Sequence, residues 1–410
     1  MGILKISFII LLLLFPLGQI ARLEFQNGVA VTLNDIAVGV VVLVFLFANR
    51  SKQRFKKSLT IPINIFAVIG LVSLVVNIRV LNISEFIVSL LYGIRWILYA
   101  GIFFVVSEFD PKFKKIITKV MIFIGSLVVI GGYLQYFLYP NLRNLYYLGW
   151  DEHLYRMFSS FLDPNFAGAF FVLYFILVFG LTMEYIKENK KNYSLLLSLL
   201  SITTLIAVLL TYSRSALIML IVGSVTLFLL KKQKKLIFIT IGIAVIFYVF
   251  AVKNFYIENL NLLRTASSKA RLESASRAIV VIKDNPIFGV GFNAYRYAQT
   301  RYGFNKDESR LVSHSGAGTD NSFLFVLATT GVIGLTSYLF IWFSIFKRAF
   351  KTLNYNGLQK TMSTIVIASV VGIFVNAFFI NSLFYPSIML WMWVLIGLNP
   401  STSSGFKESR

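Results

Sequence analysis

The sequence predicts an all-α polytopic membrane protein of about twelve transmembrane helices with one large outer loop. Three observations carry this. Of the 410 residues, 57% are hydrophobic and only 14% charged, with a mean hydropathy of +0.77; soluble domains carry about a quarter charged residues. The apolar residues fall into blocks of roughly twenty, the length of helix that crosses a hydrocarbon core. One long stretch, Val252 to Gly334, breaks that rhythm and carries Arg264, Lys269, Arg271, Arg277, Lys283, Arg296, Arg301, Lys306 and Arg310 with fewer acids. A basic loop tied at both ends to membrane helices points to an anionic, membrane-bound substrate.

The spans are expected near 4–20, 29–48, 60–79, 84–106, 116–138, 166–185, 195–212, 214–230, 236–252, 321–346, 361–381 and 383–398. Each is an apolar run bounded by charged or turn-forming residues. Lys5 followed by an apolar run without a small-x-small cleavage site reads as a retained first span. Pro16, Pro62 and Pro386 kink or end their helices. The seventh and eighth spans abut at Thr211-Tyr212-Ser213-Arg214-Ser215, which predicts a tight hairpin or a re-entrant break. No fixed-period repeat and no Gly/Ser linker is visible, so residues 1–410 form a single membrane domain, with the large extracytoplasmic loop at 253–320.

The net charge of +22 would raise nucleic acid as a partner in a soluble protein. Here most Lys and Arg lie between spans, where topology accounts for them, and no nucleic acid is expected. Basic clusters at 50–57, 112–119, 187–191, 231–235 and 347–351 all fall on one side of a twelve-span chain. The positive-inside rule makes that side, and both termini, cytoplasmic. The opposite short loops hold only Arg22, Arg79, Arg143, Arg156 and Arg214. The large loop then faces outward beside Pro140–Asn165. Zero cysteines exclude disulfides and Cys-ligated metals.

Within the large loop, Thr265-Ala266-Ser267-Ser268 caps a helix running to about Lys283. Leu272, Ala275, Ile279 and Ile282 share one face, so this helix lies on the membrane or on the bundle. Arg271 and Arg277 project from other faces, and Arg277 can pair with Glu273 four residues earlier. Asn285-Pro286-Ile287-Phe288-Gly289-Val290-Gly291 ends the helix in a tight turn. Its Gly-x-Gly follows no strand, which excludes a dinucleotide fold. Asp320-Asn321 opens the next apolar helix and is followed, nine residues on, by Gly331-Val332-Ile333-Gly334. Asp320 suits the N-cap, and a helix end at the membrane surface is also where a substrate could meet its carboxylate. Arg95, in the middle of a span, implies a phosphate contact facing the bundle interior or a structural partner such as backbone carbonyls.

Asp320-Asn321-x9-Gly331-x-x-Gly334 resembles the motif that follows the large periplasmic loop in the O-antigen ligase and Wzy-type polysaccharide polymerase superfamily, with Asp320 where the ligases carry His. Ser213-Arg214-Ser215-Ala216 is similar to that family's Ser-Arg-small pattern. Arg277 ahead of Pro286-x-x-Gly289-x-Gly291 is similar to its loop arginine and turn, and Asp163-Pro164-Asn165 to another recurring outer motif. The resemblance covers residues 156–340 in motifs and the whole chain in topology.

It implies a GT-C-like glycosyltransferase architecture in a bacterial cytoplasmic membrane. It further implies a polyisoprenyl-pyrophosphate-linked glycan donor, a glycan acceptor, membrane lipids as surroundings and a chain-length regulator protein as a candidate accessory partner. In such a site Asp320 is the candidate base, and Arg214 and Arg277, with Arg156, grip the pyrophosphate, because Arg binds phosphate oxygens bidentately. Asn321, Asn165, Arg95, Arg271 and His314 are candidate substrate-binding residues, with His314 the second candidate base. No Asp-x-Asp motif or carboxylate cluster occurs, so neither metal nor cofactor is expected. Three functions follow in order: a polymerase of capsular, exopolysaccharide or O-antigen repeat units, a ligase passing glycan to a lipid core or protein, and a transporter or flippase. The long outer loop has no counterpart in the first half of the chain, which disfavours the transporter.

Overall fold

The structure, a computed structural model, describes residues 1–25, 29–48, 58–253, 266–304 and 318–400. The chain runs α1 (Gly2–Leu14), a short hairpin β1 (Arg22–Glu24) and β2 (Ala30–Thr32), α2 (Leu33–Ala48), α3 (Thr60–Val76), α4 (Ile83–Glu108) and α5 (Pro111–Leu138). It continues with α6 (Pro164–Lys187), α7 (Lys191–Leu210), α8 (Arg214–Leu230), α9 (Lys234–Lys253), α10 (Ala266–Asp284), α11 (Tyr295–Arg301), α12 (Ser322–Thr352), α13 (Gly357–Ala377) and α14 (Pro386–Leu398). Among the described residues, six helices (α4, α5, α6, α7, α12 and α13) are long and apolar enough to cross a membrane. Apolar helices over Gly2–Leu17, Leu33–Ala48, Thr60–Val76, Arg214–Leu230 and Pro386–Leu398 are shorter. The expected second span begins as a strand: β2 pairs antiparallel with β1 in the register Arg22↔Thr32, Leu23↔Val31, Glu24↔Ala30 before α2 starts.

Local chemistry sets many of the ends. Asn82 and Glu85 form a reciprocal capping box on α4, with Asn82 Oδ1 accepting from the Glu85 amide at 2.8 Å. Asp110 caps α5 by accepting from the Phe113 amide, with Pro111 in the first turn. Pro16 sits in the 3-10 turn after α1, Pro62 in the first turn of α3, and Pro386 at the start of α14, each where a missing N–H costs little.

The helix α6 is buried along most of its length and packs against α7, α8 and α13. The helix α14 is buried throughout and packs against α4. A close-packed aromatic seam around Phe15, Phe170, Tyr174 and Trp391 joins these layers. Ile3, Phe47, Ile61, Phe137 and Phe343, by contrast, are exposed apolar side chains on the outside of the bundle. An apolar exterior on an apolar bundle is what lipid contact requires.

The seventh and eighth spans meet in a turn at Thr211–Ser213, in which Tyr212 adopts φ +50. The expected cap at Thr265 lies outside the described residues. In α10 the buried face is Ala278 and Val281, with Ile282 beside them, while Leu272 and Ile279 are exposed. Of the two placements the sequence allowed for the Leu272–Ile282 face, only its Ile282 end packs on the bundle, and its Leu272 edge is exposed.

Candidate functional site

Two interlocks bring the sequence motifs together. The first joins the connection before α6 to the α7–α8 turn. Asp163 caps α6, its Oδ1 accepting from the amides of Asn165 and Phe166 at 2.6 and 3.4 Å. Asn165 Oδ1 then accepts from Ser213 Oγ at 3.0 Å and from Arg156 at 3.4 Å. Arg156 Nε donates to the Thr211 carbonyl at 2.9 Å. The Ser213-Arg214 pair, the Asp163-Pro164-Asn165 motif and Arg156 are thus one connected unit. Arg214 leaves it toward α10, donating to Ser267 Oγ at 2.7 Å.

The second interlock joins the Pro286–Gly291 turn to α12, which breaks at Gly331 (φ 66, ψ −170). A helix break strands backbone groups that must find partners. The turn supplies them: the amides of Val290 and Gly291 donate to the carbonyls of Ala328 and Thr329 at 3.0 and 3.1 Å. The Val332 amide donates to the Pro286 carbonyl at 2.9 Å. From α3, Ser73 Oγ lies 2.6 Å from the Phe288 carbonyl and 2.7 Å from the Thr329 carbonyl, and Asn77 Nδ2 donates to the Gly289 carbonyl at 3.0 Å. The helix α10, which carries Arg271, runs directly into this docked turn and is anchored there.

Between these interlocks and the hairpin lies a cavity of about 1070 Å³. Of the residues singled out in the sequence, Arg95, Arg156, Asn165, Arg271 and Asp320 line it; Asn321 does not, and Arg214 reaches its wall only through Ser267. Asp320 is exposed to the cavity, and its carboxylate caps nothing. The helix cap is Asn321 instead, whose Oδ1 accepts from the amides of Phe323 and Leu324 at 2.8 and 3.0 Å. The cap expected at Asp320 is therefore supplied by its neighbour Asn321. Surrounding protein pushes the Asp320 pKa up, an effect opposed by Arg271 and reinforced by Asp163 and Asp151. Burial pulls the Arg271 pKa down, and Asp320 offsets this in part. Among the described residues the Arg271 guanidinium makes no hydrogen bond, so its fork is available to a ligand.

Two of the candidate residues have structural partners. Arg277 is ion-paired with Glu273, lies 5.9 Å over the Phe304 ring, and is not part of the cavity lining. The loop arginines that do line it are Arg271, six residues and almost two turns earlier, and Arg296. Arg95 is held by Asp35: Nε donates to Oδ1 at 2.7 Å, a second N–H reaches Oδ2, and the Ala30 carbonyl accepts at 3.3 Å. Tyr99 and Thr32 complete the Asp35 shell. Removing either partner of such a buried pair costs about 3–5 kcal/mol, so Arg95 serves first to pin the hairpin to α4. His314 lies outside the described residues.

Arg22, Glu24, His153, Arg296 and Tyr385 also line the cavity without a role assigned from the sequence, as does Asp163, which the sequence marked only within the Asp163-Pro164-Asn165 motif. His153 Nε2 lies 4.0 Å from Asp163 Oδ2. Tyr385 stacks on Phe166 with ring centroids 4.0 Å apart. The signal for Arg22 was present, since it is a cation on the side the positive-inside rule leaves poor.

A large cavity lined by Arg22, Arg95, Arg156, Arg271 and Arg296 together with Asp151, Asp163 and Asp320, within an apolar helical bundle, is the geometry of a membrane protein with a charged internal site. A family model described as O-antigen ligase matches residues 199–339. The match supports the O-antigen ligase and Wzy superfamily and takes in Arg214, Arg271, Asp320 and both halves of the second interlock. Members of that family are glycosyltransferase-like ligases and polymerases, which supports an enzyme role of that general kind. No curated protein matches the chain.

Proposed function

We propose that this protein is a glycosyltransferase of GT-C-like, twelve-span architecture in a bacterial cytoplasmic membrane. It polymerises oligosaccharide repeat units carried on polyisoprenyl pyrophosphate into capsular, exopolysaccharide or O-antigen chains. Both termini are cytoplasmic, and the cavity opens on the outer face. The observation that carries this reading is Asp320: a carboxylate relieved of helix capping by Asn321, standing in a large cavity with Arg271.

The acceptor sugar hydroxyl attacks the anomeric carbon of the donor glycan. The new C–O bond forms as the bond to the pyrophosphate oxygen breaks, the proton passes to the Asp320 carboxylate, and the lipid pyrophosphate leaves. Arg271 and Arg214 meet the negative charge that develops on the leaving group. Arg156 and Asn165 hold Arg214 in position through the α7–α8 turn. Arg277, paired with Glu273, steadies α10 and does not touch substrate.

The raised pKa helps the base: a carboxylate nearer the working pH is a better proton acceptor than an ordinary Asp. The base works ionised, so activity falls as pH drops through the Asp320 pKa. Arg271 pulls that pKa down. Arg271→Gln should therefore move the acid limb of the pH–rate profile to higher pH, besides lowering the rate. Arg277→Gln should leave the limb where it is. Equal limbs in both variants would remove Arg271 from the site.

The competing reading is a ligase that passes glycan to a lipid core or a protein. Position 320 decides between them, because the ligases of the resembling family carry His there. Deleting the gene should leave single repeat units on the lipid carrier and no long polymer. Full-length polymer accumulating on the carrier, unattached to its final acceptor, would establish the ligase instead.

A further inference from the structure

The cavity has a second pole that the proposed chemistry does not use. Asp320, Arg271, Arg214, Asp163 and Asp151 influence one another electrostatically at one end. Arg22 and Arg296 belong to a different set, whose shared members are Glu24 and Tyr92. Tyr385 stands between the two, within the influence of both Asp163 and Arg22. Arg22 pairs with Glu24 at 2.9 Å, donates to Gln19 Oε1 at 3.3 Å, and lies 5.7 Å over the Trp150 ring. Arg22, Glu24 and Arg296 all line this end of the cavity.

Next to this pole is a separate cavity of about 640 Å³ between the end of α1, the second half of α5 and the connection before α6. Its walls are apolar, among them Leu127, Val128, Leu148, Phe158 and Leu162. It shares Gln19, Arg22, Glu24 and Trp150 with the larger cavity, so the two meet at Arg22. Leu127 and Tyr139 are exposed at its rim, and the neighbouring α5 side chains Ile130, Leu134 and Phe137 are exposed apolar groups. The groove therefore opens along an apolar flank of the bundle. A Cβ built on Gly131, also in its wall, would meet only Ser159 Oγ, at an ordinary 3.7 Å. That position faces space.

We infer that this groove holds the polyisoprenyl tail of a second lipid-linked substrate, with its phosphate seated at the Arg22–Arg296 pole. An apolar channel ending on cations fits a long hydrocarbon with an anionic head, and the shared Arg22 is the junction. The first isoprene units lie in the groove and the rest runs out among the lipid tails. The inference rests on the proposed polymerase reading, in which donor and acceptor are both lipid-linked. It assigns one carrier to the Arg271 pole and the other to the Arg22 pole.

The test is binding stoichiometry of long-chain polyisoprenyl pyrophosphate on the full-length protein in detergent, read by native mass spectrometry. The wild type should take two equivalents. Arg22→Gln should lose one, and so should Gly131→Phe, which fills the groove from mid-helix. Arg271→Gln should lose the other, and Arg22→Gln with Arg271→Gln should take none. Free pyrophosphate and phosphatidylglycerol, each added in excess, should fail to displace the equivalent that Gly131→Phe removes. A single equivalent on the wild type, abolished by Arg271→Gln alone, overturns the second site and leaves the proposed function standing. Two equivalents retained by both Arg22→Gln and Gly131→Phe overturn it as well. Displacement by phosphatidylglycerol makes the groove an ordinary lipid site, and displacement by free pyrophosphate makes it an anion site without a tail. No binding of the carrier at all sinks this inference together with the function it rests on.

Discussion

Asp320→Asn is expected to abolish chain growth while the purified protein keeps or slightly raises its melting temperature. The two halves of this result come from the same physics. Surrounding protein disfavours the charged carboxylate and raises its pKa above the unfolded value. A carboxyl raised in this way adds stability below its unfolded pKa, and that contribution is lost as pH rises through the folded pKa. At neutral pH the folded protein therefore carries the ionised Asp320 at a cost, and Asn removes the cost together with the base. The substitution is nearly isosteric, and the backbone N–H of residue 320 keeps its 3.3 Å bond to Ser274 Oγ. The cap is untouched, because Asn321 supplies it. The contrast is Asn321→Ala, which strips both capping bonds and should cost about 1 kcal/mol of stability. Polymer length on gels and thermal unfolding in detergent, each across pH, separate the two variants. If Asp320→Asn makes polymer of normal length, the base is elsewhere, and His153 in the same cavity and His314 are the next to replace.

Much of this was legible in the chain because lipid leaves so few options. Apolar blocks must be helices, and their prolines and caps mark the ends. Asn285-Pro286 announced a helix end, and it lies where that turn docks on α12. What pattern could not give was rotation and pairing. Periodicity left open whether the Leu272–Ile279 face of α10 meets the membrane or the bundle; in the structure Ala278 and Val281 are the buried pair and Leu272 and Ile279 are exposed. Glu273 is four residues from Arg277 and captured it, which no local rule weighs against a chemical role. Arg95 found Asp35, sixty residues away and inside another apolar helix. The hairpin around Arg22 was hidden because three-residue strands carry almost no periodic signal. Asp320 and Asn321 are both good caps by type, and only backbone geometry decides which one turns into the helix.

Gly331→Ala is expected to be the most disruptive glycine-to-alanine change among the described residues, with loss of folded protein at growth temperature or a large fall in melting temperature in detergent. Gly331 combines φ 66 with ψ −170, a region essentially closed to residues with a Cβ. That alone costs roughly 1–3 kcal/mol. Space makes it worse: a Cβ there would lie 2.0 Å from the Ile287 carbonyl oxygen and 2.6 Å from the Phe288 amide nitrogen. These are backbone atoms of the docked turn, so no side chain can swing away to make room. The turn would have to lift, breaking the bonds from Val290, Gly291 and Val332 that satisfy the broken helix, and exposing the Thr329 carbonyl that Ser73 also reaches. Because the same dock anchors α10, any Gly331→Ala protein that does fold should have Arg271 displaced from Asp320 and should fail at catalysis. The control is Gly242→Ala in α9, where a Cβ meets nothing within 4 Å and a helical alanine is favourable. It should melt at or above the wild-type temperature. A Gly331→Ala protein as stable and active as that control would mean that the break in α12 can straighten, and that the dock does not hold the site.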